Sequence, residues 1–390
     1  MDTTHFDAIG LDDLRAGGGL KWVAFPDCIG AFVAEMDFGL APPIAAALHE
    51  TIAGGRTGYL SASLTDAMAE ACAGWHADRY GWAPAPERIH PLPDILTGLE
   101  LALRHLLPER TPVVVPSPNY MPFVPLLRLL GHEVIEVPMR DAEGTWTFDE
   151  PALDAAFARG AGLAILCNPH NPLGRVYTRA ELARFSAIAA RHGARVFADE
   201  IHGPLVYGPH RHVPYASLGP EAAAQAITAT SASKGWNLPG LKCAQLILSN
   251  DEDQARWRRM APLAGHATAT PGVIANTVAY REGRDWLDAV LAYLDGNRAL
   301  VAERVRTDMP GVGFRAPEGT YLAWLDCRGL APADAPSPAR RFRASGVALT
   351  DGADCGAGGE GFVRLNFAMP RPILSEALSR MADAVRQAAP

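Results

Sequence analysis

Thr230-Ser231-Ala232-Ser233-Lys234-Gly235-Trp236-Asn237-Leu238-Pro239-Gly240-Leu241-Lys242 is the stretch whose reading decides the rest of this chain. A short β-like run, Ala226-Ile227-Thr228-Ala229-Thr230, leads into it. Lys234 then sits among Ser, Ala, Gly, Trp and Leu, not among the polar neighbours that keep a surface ammonium in water. A lysine drawn into a partly dry pocket has a lowered pKa and a larger neutral fraction, the form that Schiff-base chemistry needs. The competing reading is a turn between two strands with an incidental lysine. The residues at the ends of the other strands separate the two.

Working outward, short apolar runs alternate with helix-length segments. Pro112 to Val115, Glu133 to Val137, Leu163 to Cys167, Arg195 to Ala198, Ala226 to Thr230 and Ala244 to Leu248 read as strands of a mostly parallel sheet covered on both faces. Between two of them, Thr178 and Glu181 form a capping box, Leu182, Phe185 and Ile188 an apolar stripe, and Gly193 a stop. The apolar run Ala31 to Ala34 reads as a first strand at the end of an N-terminal arm. A long helix is expected over Trp286 to Arg306, and strands over Tyr321 to Asp326 and Gly361 to Phe367. The Pro- and Ala-rich segment Ala331 to Ala339 reads as a loop. The expected organisation is an arm (1–43) packing with the small domain, a large α/β domain (44–280), and a smaller α+β domain (281–390).

Composition narrows the function. The chain has 390 residues, 48% hydrophobic and 20% charged, and 35 basic residues against 43 acidic ones leave a net charge of −8. That balance argues against general nucleic-acid binding, so any bound phosphate needs a local site. The six cysteines are scattered, without a C-x-x-C, which speaks against structural zinc and a disulfide framework and fits a reducing cytoplasm. The start lacks a basic n-region and an apolar h-region, and no run of 18 apolar residues occurs; a soluble cytoplasmic protein is expected, away from membranes.

In open α/β sheets ligands gather beyond the carboxyl ends of the strands. There the sequence places Asn168-Pro169-His170-Asn171-Pro172-Leu173-Gly174, then Asp199-Glu200-Ile201-His202, then Ser231-Ala232-Ser233-Lys234. An amide, a carboxylate and a lysine come after three successive strands, with 28 residues from Asn171 to Asp199 and 35 from Asp199 to Lys234.

This ordered set resembles the fold-type I pyridoxal-phosphate enzymes of the aspartate aminotransferase superfamily, over nearly the whole chain. Within it the chain looks most like the MalY/PatB group of cystathionine and cysteine-S-conjugate β-lyases. The carriers are Val33-Ala34-Glu35-Met36-Asp37-Phe38, the N-P-H-N-P turn, Asp199-Glu200-Ile201-His202, Thr320-Tyr321-Leu322-Ala323-Trp324-Leu325-Asp326 and Val363-Arg364-Leu365-Asn366-Phe367. His202 stands where many aminotransferases have tyrosine, which favours a lyase.

The resemblance implies roles. Lys234 would hold pyridoxal 5′-phosphate covalently and then remove the substrate Cα proton. Asp199 would keep the pyridine nitrogen protonated, Asn171 would donate to the phenolic oxygen, and Tyr120 would stack on the ring, with His202 beside the cofactor. For the phosphate, Ser231, Ser233 and Lys242 would supply hydroxyls and a cation, and the backbone amides of Ile95 and Leu96 an anion site at a helix running to Leu107. Asp94 precedes them where the group commonly has glycine, and as an N-cap it could turn away. Tyr59 matches the tyrosine that relatives send across a homodimer interface, giving shared sites. Arg364 is the expected clamp for the substrate carboxylate, with Ala34, Tyr59, Tyr120 and Asn171 also lining the substrate site. A buried Tyr59 and a purely structural ion pair for Arg364 are the alternatives.

The implied reaction is α,β-elimination from an L-cysteine S-conjugate, giving thiol, pyruvate and ammonia. A specialised natural-product conjugate of the lincosamide kind is also open, because Ala16 to Gly19, Leu60 to Ser63 and Gly265 to Thr270 depart from the group's usual pattern. Decarboxylative oxidative deamination to an aldehyde would use the same lysine and cofactor. A class I/II aminotransferase and a cofactor-binding regulator are the rival readings.

Overall fold

A computed structural model describes residues 3–142, 144–330 and 337–387. At its centre is a seven-stranded sheet formed by β1 (Ile89–Leu92), β2 (Val113–Ser117), β3 (Val134–Pro138), β4 (Leu163–Cys167), β5 (Arg195–Asp199), β6 (Ala226–Thr230) and β7 (Ala244–Leu248). Its strand order is β1-β7-β6-β5-β4-β2-β3. Only β7 runs against the others, pairing antiparallel with both β6 and β1. The expected α/β class with a mostly parallel sheet is what the chain adopts.

The uninterrupted apolar runs have a direct cause. Val113 and Val115 pack on one face with Phe197, Ile227 and Leu246, while Val114 turns to the other with Ala164, Val196 and Ala198. Both faces are covered, so successive residues are mostly apolar rather than alternating with polar ones. Each fully buried Val, Leu or Phe contributes roughly 1.5–3 kcal/mol to the core. The helix Arg179–Arg191 opens on the expected capping box, with Thr178 accepting from Glu181 N and Glu181 accepting from Thr178 N.

Register aligns the strand ends. Asp199 lies opposite Cys167 on one side and Ala229 on the other, so the segments starting at Asn168, Glu200 and Ser231 leave the sheet along one edge.

A second sheet is formed by β8 (Gly313–Phe314), β9 (Leu322–Asp326), β10 (Thr350–Asp351) and β11 (Phe362–Asn366), in the order β8-β9-β11-β10. Its core is shared with the long helix Arg284–Asp308, the helix Arg371–Arg386 and the N-terminal Phe6, Trp22 and Ile29. In register, Trp324 and Thr350 flank Arg364.

Four details differ from the sequence reading. β1 escapes that reading because His90 and Pro91 interrupt its pattern; it sits at the sheet edge, where a missing N–H is tolerated. Ala31 to Ala34 is irregular, and the strand pairing in this region is the short parallel bridge of Ile29–Gly30 to Val347–Ala348. Of the segment read as a loop, 331–336 lie outside the described residues, and Pro338 and Ala339 already begin a helix that ends at Ala344. The helix expected to reach Leu107 ends at His105.

Candidate active site

A cavity of about 200 Å³ opens where the three strand ends meet. Ala34, Ile95, Leu96, Tyr120, Asn171, Asp199, His202, Ser233, Lys234 and Lys242 line it, ten of the residues expected from the sequence.

Lys234 is only partly exposed, and its Nζ donates to the carbonyl oxygen of Ala34 at 2.7 Å. Burial pulls its pKa down to about 8; Glu35 and Asp199 oppose the shift and the Arg364 charge adds to it. A usable fraction of neutral amine is therefore present near neutrality.

Asp199, at the end of β5, is buried, and its Oδ1 accepts from Ile201 N at 3.1 Å. Burial pushes its carboxyl up to about 7 in spite of that bond and of the Lys234 charge. Such a carboxyl calls for a cationic N–H partner, which is what a protonated pyridine offers.

Asn171 belongs to the turn that closes on Gly174. There φ is +68° and a Cβ would come within 2.3 Å of Pro317 Cβ, so only glycine fits. Arg364 Nη1 donates to Asn171 Oδ1 at 2.8 Å, which leaves the Asn171 amide nitrogen as the free donor. Arg364 is 2% exposed, and its other bonds go to Phe32 O (2.6 Å), Thr350 Oγ1 (3.1 Å) and, weakly, Met121 Sδ (3.7 Å). Among the described residues no carboxylate pairs with it, so the structural ion pair is absent, and its Nε has no partner. Burial lowers its pKa, as expected of a cation without a counter-ion.

His202 is buried against Tyr321, ring centroids 6.0 Å apart, with no partner for Nδ1. Burial, then the charges of Lys234 and Arg364, hold its pKa well below the usual range, so the imidazole is neutral. Tyr120 meets Phe123 edge-on at 5.3 Å and presents its ring to the cavity.

At the other end of the cavity lies the N-terminus of the helix Ile95–His105, beside Lys242. Asp94 caps this helix and also pairs with Lys242 at 3.2 Å, so the cap does not turn away from the site. Ser231 stands apart from the expectation. Its Oγ donates to Cys243 O at 2.7 Å and accepts from Ser233 N at 2.9 Å, so it braces the loop while Ser233 faces the cavity. Tyr59 does not reach this cavity. It is 91% exposed, which removes the buried-core alternative, and its ring stacks on His266 at 5.8 Å.

Three residues without an assigned role in the sequence shape the site. Tyr321 donates its hydroxyl to Ala34 O at 2.9 Å, the same oxygen that receives Lys234. Asn366 Nδ2 bonds Val33 O and Glu35 O, both at 2.6 Å. Asn237 accepts from Met36 N and donates to Met36 O, both at 2.9 Å. Together they fix the arm so that one carbonyl meets the lysine. For Asn366, an amide inside the apolar run Val363 to Phe367 is the available signal.

The lone Asp199 carboxyl, the orphaned His202 Nδ1 and Arg364 Nε, and a cation at a helix N-terminus fit a planar pyridine carrying a phosphate, with room for a carboxylate-bearing substrate.

Comparison with known proteins agrees with this geometry. The chain is 37% identical to a cystathionine β-lyase of Corynebacterium glutamicum, covering 96% of this chain and 98% of the relative. It is 31% identical to the cystathionine β-lyase PatB of Bacillus subtilis over 92% and 93% of the two chains. Cystalysin from Treponema denticola, whose crystal structure contains a pyridoxal 5′-phosphate cofactor, superposes with a TM-score of 0.91 at 26% identity, over 99% and 100% of the chains. Residues 28–381 match the class I and II aminotransferases, and with that match, these relatives and this sheet edge, the chain belongs to the class I and II aminotransferase family.

Proposed function

We propose that this chain is a pyridoxal-phosphate-dependent carbon–sulfur β-lyase that converts L-cysteine S-conjugates to a thiol, pyruvate and ammonia, working as a homodimer with shared sites. The observation that carries the reading is Lys234, its pKa drawn down to about 8, sharing one cavity with a buried Asp199 and with Asn171, whose amide oxygen accepts from the buried cation Arg364 just behind it. The curated relatives named as cystathionine β-lyases support the reaction class.

Bound there, pyridoxal phosphate supplies an electron sink for the pair left on Cα when its proton departs. Lys234 holds the cofactor and then takes that proton on Nζ. Asp199 supplies the negative charge that keeps a ring nitrogen protonated, and Tyr120 covers a ring face. Arg364 takes the substrate α-carboxylate in a bidentate pair, and the free Asn171 amide nitrogen orients the group next to it. Neutral His202 lines the cavity against Tyr321 without adding charge. A thiolate of pKa roughly 8.5 leaves without a dedicated acid. Lys242, Ser233 and the amides of Ile95 and Leu96 receive the phosphate, with Tyr59 reaching across from the second copy.

The test is incubation of the cofactor-loaded protein with cystathionine and S-alkyl cysteines. Equimolar thiol and pyruvate are expected. Pyridoxamine phosphate and a keto acid that retains the sulfur would instead establish an aminotransferase.

A further inference from the structure

The phosphate end of the cavity already contains an anion. Asp94 caps the helix Ile95–His105, its Oδ1 accepting from Thr97 N and Thr97 Oγ1, both at 2.9 Å. Its second oxygen, Oδ2, lies 3.2 Å from Lys242 Nζ. Both side chains line the cavity next to Ile95 and Leu96. Lys234 and Lys242 are the only lysines or arginines among the described lining residues, and Lys234 is committed elsewhere. Lys242 is also held in place, with a backbone φ of +48° and its carbonyl accepting from Ala269 N at 3.2 Å. Burial works against ionisation of Asp94, but the Thr97 donors and Lys242 outweigh it and hold the carboxyl below its usual range.

A phosphate dianion arriving here meets a helix N-terminus already capped by a carboxylate and a lysine already paired with it. When Lys242 turns to the phosphate, Asp94 Oδ2 is left unpaired beside like charge. We propose that Asp94 sets the cofactor affinity of this site, weakening the hold on the phosphate so that the cofactor exchanges readily. This rests on the cofactor reading above and adds to it a residue whose effect is confined to the phosphate. The Asp94–Lys242 pair is largely exposed and contributes little to stability, so removing its charge leaves the fold intact.

Asp94→Asn keeps an oxygen to cap Thr97 while removing the charge, and Asp94→Ser is a second neutral cap should the first variant fold poorly. The measurement is equilibrium binding of pyridoxal phosphate and of pyridoxal to cofactor-free protein, read from cofactor absorbance. Pyridoxal phosphate should bind the neutral-cap variant about tenfold or more tighter than the wild type, and pyridoxal equally to both. Unchanged or weaker binding of pyridoxal phosphate overturns the proposal, as does equal tightening for both ligands. A wild-type protein that binds neither ligand removes the cofactor reading and this inference together, whereas wild-type binding without discrimination by the variant removes the inference alone.

Discussion

Arg364 and Asn171, 193 residues apart, are joined by a single 2.8 Å bond from Nη1 to Oδ1 that ties the C-terminal sheet to the turn after β4. The bond fixes which way the Asn171 amide faces, and it leaves a buried guanidinium without a carboxylate partner. Substrate is the natural counter-ion. Arg364→Ala should lower kcat/KM for cysteine conjugates by on the order of 10³, because a bidentate charge-assisted pair and the orientation of Cα are lost together. Arg364→Lys should recover little, a point charge being unable to replace the planar fork. Steady-state kinetics alongside a thermal melt checks this; near-wild-type kcat/KM in Arg364→Ala would remove the clamp.

The two ionisable groups facing each other across the cavity oppose folding in different pH windows. Asp199 is raised to about 7, so between the unfolded carboxyl range near 4 and about 7 the unfolded chain binds fewer protons than the folded one, and stability falls as pH rises. Lys234 is lowered to about 8, so from about 8 to the unfolded lysine range the unfolded chain binds more protons, and stability rises with pH. Cofactor-free Asp199→Asn should therefore gain on the order of 2 kcal/mol at pH 8, and Lys234→Met a similar amount at pH 7. Urea unfolding at a series of pH values reads both slopes. A wild type whose stability is flat from pH 4 to 7 would contradict the Asp199 assignment.

The same lysine value governs cofactor capture. The second-order rate at which cofactor-free protein takes up pyridoxal phosphate covalently should climb with pH and level off above about 8, as the neutral amine fraction saturates. Stopped-flow absorbance tracks it. Tyr321→Phe leaves Ala34 O to Lys234 alone, which strengthens the bond holding the ammonium, so the profile should move to higher pH and kcat/KM fall about threefold to tenfold. An unmoved profile would leave Tyr321 a packing residue only.

How much of the molecule is legible in the sequence depends on which interactions are local. Strands β4 to β7 are short, mostly apolar and almost wholly buried because both faces are covered, and a motif comes directly after each of β4, β5 and β6, so that crevice can be read in order. The capping box at Thr178 is equally local. The role of Ser231 is hidden because its acceptor, Cys243 O, comes from an antiparallel neighbour, and nothing near Ser231 announces that pairing. Tyr321 and Ala34 lie 287 residues apart, and their bond depends on how the arm crosses the C-terminal sheet. β1 hides behind Pro91, tolerated only because the strand is at an edge.

Tyr59 gives the sharpest test of shared sites. Its ring is 91% exposed and stacked on His266, outside the cavity of its own chain, so any contact with a cofactor must be made in a second copy. Tyr59→Ala should weaken pyridoxal phosphate binding enough to empty the site at limiting cofactor, and Lys234→Ala should abolish turnover. When the two variants are co-expressed, half of the dimers are mixed, and each mixed dimer rebuilds one site free of both substitutions. Activity at limiting cofactor should then return to about a quarter of the wild-type level per site. If Tyr59 acted within its own chain, every site in the mixed dimers would still carry one substitution, and no activity would return.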